Sequence, residues 1–301
     1  MDTIKSSSDF IIIDRLNECK QLPVLRSLNT TLLSLIDSDT SFMSQIAEVI
    51  GRDPAITTKL LNLANSIFFG FAESQPIKSI EEAAFYVGLT QLKHIIITTP
   101  VVEDLLDLQY LNNKINWVDF WTHSVATAIL TREVLSLAEI DWDDESDYIA
   151  GLLHNVGKVV IATVFPEEFS KMLNLNSKDT LEFCEEEKKA IEWDHAKIGA
   201  YFLWKNHLAA DIIEAVQNHN SPYKSLKKPE LAAAIQLADH LARSADILGI
   251  ESTAAPIAEE FQNLDGFMLL FGHMSEEDQN EALLALSMSK ERIASTIKEM
   301  I

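Results

Sequence analysis

The chain has 301 residues, 46 acidic against 24 basic, for a net charge of -22 and a pI near 4.6. So acidic a surface repels phosphate backbones, which excludes DNA or RNA binding as a main role. Hydrophobic content is 47%, with only 9 Gly and 8 Pro; that favours a helical globular chain over sandwiches and barrels, long enough for two cores.

In chain order, Asp53-Pro54 sets a capping carboxylate before a proline at the first helical position. Ile56, Leu60, Leu61, Leu63 and Ala64 follow at helical spacing. Asn62, Asn65 and Ser66 near that helix's end read as capping and termination residues. Phe68, Phe69 and Phe71 around Gly70 read as core packing, with a docking surface as the rarer use. Ser79 and Glu82 form a capping box; Gly88 ends the helix it opens, and Thr90 starts the next. Further helices are predicted over Trp117 to Ala138 and Ser146 to Phe165, the latter stopped by Pro166. Others cover Thr180 to Ile191, His195 to Trp204, Asp211 to His219 and Pro229 to Leu248. Ser275 with Asp278 caps a last helix to the C-terminus. No run shows the period-two alternation of strands. The expected fold is all-α, in two helical lobes.

The boundaries proposed are 1–111 for an N-terminal lobe, 112–250 for a second lobe and 251–301 for an extension. They rest on the polar patch Leu111-Asn112-Asn113-Lys114 and the segment Ser252 to Gly272. The acidic runs Asp141 to Asp147 and Glu185 to Glu187 read as solvated faces. Cys19 and Cys184 show no pairing pattern, as expected in a reducing compartment. The N-terminus MDTIKSSSDF has no apolar signal core, and the apolar stretch His94 to Val102 is too short to span a bilayer. The expectation is a cytoplasmic protein without membrane insertion.

The polar residues that interrupt apolar helices carry the chemistry. His123, the pair His154-Asn155, and Asp239 fall on three separate helical patterns. Such helices can converge ligands on a buried axis. His195 and His219 join them as candidate metal ligands. Imidazoles and carboxylates so gathered hold divalent metals and activate water. Any one of these histidines alone reads more readily as a core imidazole bonded to a carbonyl or carboxylate. Lys158, one turn after His154, could face a phosphate. Asn155 is the discordant member: an amide oxygen brings no charge where a binuclear site wants a bridging carboxylate. His94, His207, His240 and His273 read as structural or exposed. There is no phosphate loop, nucleophile elbow or CxxC pair.

The segments GRDPAITTKLLNLANSIFFG, IKSIEEAAFYVGLTQLKHIII, AGLLHNVGKVVIATVFPEEF, DHAKIGAYFLW and IIEAVQNHNSP together resemble the HDOD family, over about residues 22–248. The family is related to the HD-superfamily phosphohydrolases, so the resemblance implies an HD-like second lobe. In HD enzymes the ligands are a first His, a His-Asp pair and a distal Asp. His123, His154 and Asp239 match the first, second and fourth, while Asn155 departs at the third. The region His219-Asn220-Ser221-Pro222-Tyr223 lacks the Gly-Tyr-Pro signature of the cyclic-di-GMP-cleaving branch. The resemblance implies a non-catalytic signalling module, with a signalling protein or a nucleotide as its partner in trans. It implies no catalytic residue and no cofactor, or at most a weakly held Fe, Mn or Mg ion. The alternative is a metal-dependent phosphohydrolase with a degenerate HD site.

Overall fold

The computed structural model describes residues 7–19, 22–24, 26–38, 41–68, 76–99, 115–142, 144–173, 180–247 and 258–300. Among them there is no β-strand, as the absence of alternation predicts. The first part of the chain forms α1 (Ser7–Glu18), α2 (Arg26–Ile36), α3 (Met43–Ile50), α4 (Pro54–Phe68) and α5 (Ile80–Thr98). α6 (Trp117–Leu137), α7 (Ser146–Leu153), α8 (Val156–Val164) and α9 (Pro166–Met172) follow. Then come α10 (Thr180–Ile191), α11 (His195–Lys205), α12 (Ala210–Asn218), a 3-10 turn at Pro222–Lys224, and α13 (Pro229–Ser244). A second 3-10 turn, Ala258–Asn263, leads to α14 (Asp265–Phe271) and α15 (Glu276–Met300). The buried apolar side chains, from Ile12 to Ile297, make one continuous cluster.

Helices α2 to α5 pack on one another. The predicted caps position them. The backbone N–H of Ile56 donates to Asp53 Oδ1 over 2.8 Å at the start of α4. Asp53 Oδ2 accepts the indole N–H of Trp121, on α6, over 2.8 Å, so one buried carboxylate serves both halves. Ser79 Oγ caps α5 by accepting the N–H of Glu82. Glu145, rather than Glu82, completes that end, accepting from Ser79 Oγ and the Ile80 N–H. At Gly88 the backbone leaves the helix with φ 76°, a conformation costly for residues with a Cβ. The expected stop is found there: α5 is two helical segments joined across Gly88, the second running to Thr98.

Three expectations are corrected. The helix from Ser146 to Phe165 is two helices, parted at His154-Asn155, where Asn155 sits at φ -99°, ψ 8°. The helix from Pro229 ends at Ser244, with Asp246 at φ 63° closing it. Asn62 and Asn65 do not cap α4. Asn62 Nδ2 donates to Asn206 Oδ1 over 2.9 Å. Asn65 accepts the Ile77 N–H over 2.7 Å and donates to the carbonyls of Ile77 and His207. They join α4 to the end of α11. The side chains of Ser66 and Phe68, the residues Phe69 to Phe71, and the patch Leu111 to Lys114 lie outside the described residues.

The acidic run before α7 is also not simply solvated. Asp147 is buried and takes both Arg132 Nε–H and Nη2–H at 2.9 Å, while Asp144 and Asp211 both pair with Lys78. α6 is buried on most faces and packs along α7 and α13. The alanines of α13, Ala232, Ala233, Ala234, Ala238 and Ala242, are buried, and their small side chains permit close approach of neighbouring helices. No single helix among the described residues is long and apolar enough to cross a membrane; a bent pair, α7–α8 with α9, passes by composition only and lies largely in the core.

Candidate functional site

α6 delivers His123, the α7–α8 break delivers His154 and Asn155, α12 ends at His219, α11 begins at His195, and α13 carries Asp239. All six are buried. The four imidazoles form a row. Ring centroids are 5.4 Å apart from His123 to His154, 5.4 Å from His154 to His219 and 5.5 Å from His219 to His195. Gly157 permits the last step. A Cβ there would meet the His195 carbonyl at 1.9 Å, so only glycine lets α11 start this close to α8.

Backbone carbonyls orient three of the rings. His123 Nδ1 lies 2.9 Å from Ile247 O, His154 Nδ1 2.7 Å from Gly151 O, and His219 Nδ1 2.7 Å from Val216 O. A carbonyl only accepts, so each Nδ1 carries the proton and each Nε2 is turned inward. His123 Nε2 is 3.0 Å and His154 Nε2 3.6 Å from Asp239 Oδ1. Ligand atoms around one ion at bonds of about 2.1 Å stand about 3.0–3.4 Å apart, so these three fit a single ion. Asn155 works against it. Its Nδ2 donates to His154 Nε2 over 2.7 Å, capping the lone pair a metal would use. Its Oδ1 has no hydrogen-bond partner among the described residues, and turning the amide would present a neutral oxygen instead. The set suits at most one ion, held without the charge of a bridging carboxylate.

Electrostatics follows from burial. His154 is pushed down to about 4, chiefly by desolvation and against the pull of Asp239. His219 is likewise lowered to about 4, by desolvation first and by His154 next. Burial raises the Asp239 carboxyl, but the Arg243 charge beside it, with the His123 and His154 rings facing it, outweighs that and holds it well below the usual carboxylate range. Arg243 Nη2 donates to Asp239 Oδ2 from one turn along α13.

Arg243 is a site residue that the sequence reading misses, although its i+4 spacing from Asp239 was legible. Glu187 is the second such residue. It belongs to a run read as solvated, yet it is fully buried. Its Oε2 accepts both the His195 backbone N–H at 2.8 Å and the ring Nδ1–H at 2.7 Å. Cys184, Glu187 and Ile191 share one face of α10 and are all buried, a period the charge of the run conceals. Lys158 is buried with Nζ 5.5 Å over the Phe183 ring. His94, His207 and His273 are exposed, and His240 packs edge-on against Phe261.

Comparison with known proteins places the arrangement. The HDOD domain model matches residues 22–222. The chain belongs to the HDOD family. An uncharacterized protein of Treponema pallidum is 26% identical over 239 residues, 78% of this chain. This chain spans 44% of that relative's length. Among solved structures, a virulence factor from Campylobacter jejuni has a TM-score of 0.67 at 19% identity, over 97% of this chain and 100% of that one. The MmoQ response regulator from Methylococcus capsulatus has a TM-score of 0.62 at 22% identity, over 88% of this chain and 98% of that one. At these identities the structures establish a shared HDOD-type fold.

Proposed function

We propose that this HDOD protein is a non-catalytic regulatory module of bacterial signalling, acting in the cytoplasm on a protein or nucleotide partner in trans. The observation that carries the reading is the Asn155 amide on His154 Nε2. A hydrolytic pair of metals needs negative charge at that point to hold the ions and lower the pKa of a shared water. Here the position donates a hydrogen bond. Arg243 adds to this by setting a fixed cation against the Asp239 carboxylate. Family membership supports a signalling role, and the Methylococcus neighbour is a response regulator.

A second reading, a phosphohydrolase working with one weakly held Fe, Mn or Mg ion, is favoured by the inward Nε2 atoms of His123 and His154 around Asp239. Assay of cyclic dinucleotides and a generic phosphodiester with Mn²⁺ or Fe²⁺ separates the two. No turnover is expected. Metal-dependent hydrolysis that disappears in His154→Ala would overturn the non-catalytic reading.

A further inference from the structure

We propose that Cys184, Glu187 and His195 form a zinc-type cation site at the far end of the imidazole row, separate from the His123–His154–Asp239 group. Three residue types that ligate zinc sit on two helices that meet there: Cys184 and Glu187 on α10, one turn apart, and His195 at the first position of α11. Their ligand atoms all lie within 4.8 Å of one another, and all three side chains are buried. Cys184 Sγ is 3.9 Å and Glu187 Oε2 2.7 Å from His195 Nδ1. With Zn–S of about 2.3 Å and Zn–N and Zn–O of about 2.0–2.1 Å, tetrahedral ligand atoms stand about 3.3–3.6 Å apart. The thiol must therefore close by a few tenths of an ångström and the carboxylate open by somewhat more, both within side-chain rotation.

A Glu–His bond that only orients His195 gives no account of two further features. One is the thiol, placed beside the same ring nitrogen. The other is a cavity of about 430 Å³ that Cys184 and Asn220 help to line. Its walls carry Glu182, Glu185 and Asp194 against Lys188 and Lys224. A mouth with three carboxylates against two lysines that reaches the thiol is an entry path for a divalent cation, and it leaves a fourth position for water or another small ligand. Cysteine as a ligand selects a borderline ion such as Zn²⁺ over Mg²⁺ or Ca²⁺.

The proton balance is simple. Glu187 binds as carboxylate and His195 as neutral imidazole. The Nδ1 proton moves to Nε2, and the Asn220 amide, whose Nδ2 lies 3.5 Å from that nitrogen, turns its oxygen to accept it. The Cys184 S–H bond breaks as S–Zn forms, and its proton leaves to solvent. Binding of one Zn²⁺ therefore releases one proton.

The test titrates the full-length protein with Zn²⁺ and with Co²⁺ as its spectroscopic stand-in. The parent is expected to bind Co²⁺ with a thiolate-to-cobalt charge-transfer band in the near ultraviolet. Zn²⁺ should displace Co²⁺, and Zn²⁺ added to the metal-free protein should release one proton per ion, as read by calorimetry in two buffers of different ionisation heat. Cys184→Ser, a change of one atom, should abolish the band and weaken Zn²⁺ binding at least about 100-fold, since loss of an outer partner alone costs 10–100-fold. Glu187→Gln keeps the shape and should keep the band while weakening binding. Asn155→Asp, at the opposite end of the row, should leave the band unchanged, which keeps this result independent of the proposed function. Co²⁺ binding without a thiolate band, a band that survives Cys184→Ser, or Zn²⁺ affinity indifferent to both variants would overturn the site.

Discussion

The two ends of the imidazole row solve the same problem in different ways. At one end Asp239 meets His123 and His154 on one side and Arg243 on the other, so its charge is matched within a single turn of α13. At the other end Glu187 meets His195 through both ring and backbone, with the Cys184 thiol alongside and a cavity beyond. Substituting Asn for a carboxylate at position 155 lowers the charge only at the first end. The ligand set at one end of the row can therefore differ while the packing of the whole is kept, because each histidine is held by its own neighbour.

The strongest challenge to this contrast is Arg243→Met. It leaves the Asp239 carboxylate buried without its guanidinium, and the unfolding free energy in urea should drop by about 3–5 kcal/mol. A loss under about 1 kcal/mol would mean that His123 and His154 neutralise Asp239 unaided.

Acid comes next. His154 and His219 have folded values near 4 against an ordinary 6.5. The unfolded chain takes up their protons first. Their neutral forms thus support the fold fully above about pH 6.5, and that support is lost as pH falls from 6.5 towards 4, then levels off. The slope is at most about 1.4 kcal/mol per pH unit for each histidine. Urea midpoints measured across that window should fall together, and His219→Gln should reduce the slope by about half. A flat profile would show that these rings do not titrate as burial requires.

A smaller effect is expected from placing a carboxylate at position 155. Asn155→Asp should tighten Mn²⁺ or Fe²⁺ binding at least about tenfold, or about 1.4 kcal/mol, because an anionic ligand joins nitrogen donors already aimed inward. Calorimetric titration of both forms decides it; equal affinities would mean that Arg243 or the local geometry bars the ion. The mildest change is Asn220→Ala beside His195. Its long contacts, 3.5 Å to both His195 and Cys184, should be worth no more than about 1 kcal/mol in urea unfolding.

The helical fold was legible because caps and apolar spacing are local: Asp53-Pro54, Ser79 and Ser275 each open a helix where expected. His123, His154 and Asp239 stood out because each interrupts an apolar helix. What stayed hidden is what depends on partners distant in sequence. Glu187 looks like its exposed neighbours until α11 folds over it. Arg243 looks like an ordinary last-turn cation. The division at His154-Asn155 has no proline or glycine at the break itself to announce it. Asn62 and Asn65 resemble caps until His207 and Asn206 arrive from over 140 residues away.

Asp53 has a mechanical consequence. One of its oxygens fixes the start of α4 and the other fixes Trp121, two residues before His123. The carboxylate is a pivot between a lever and its load: α4 cannot turn about its own axis without pulling on the indole or losing it. Force applied to the first half of the chain therefore has a path to the first ring of the histidine row through a buried hydrogen bond and one turn of α6.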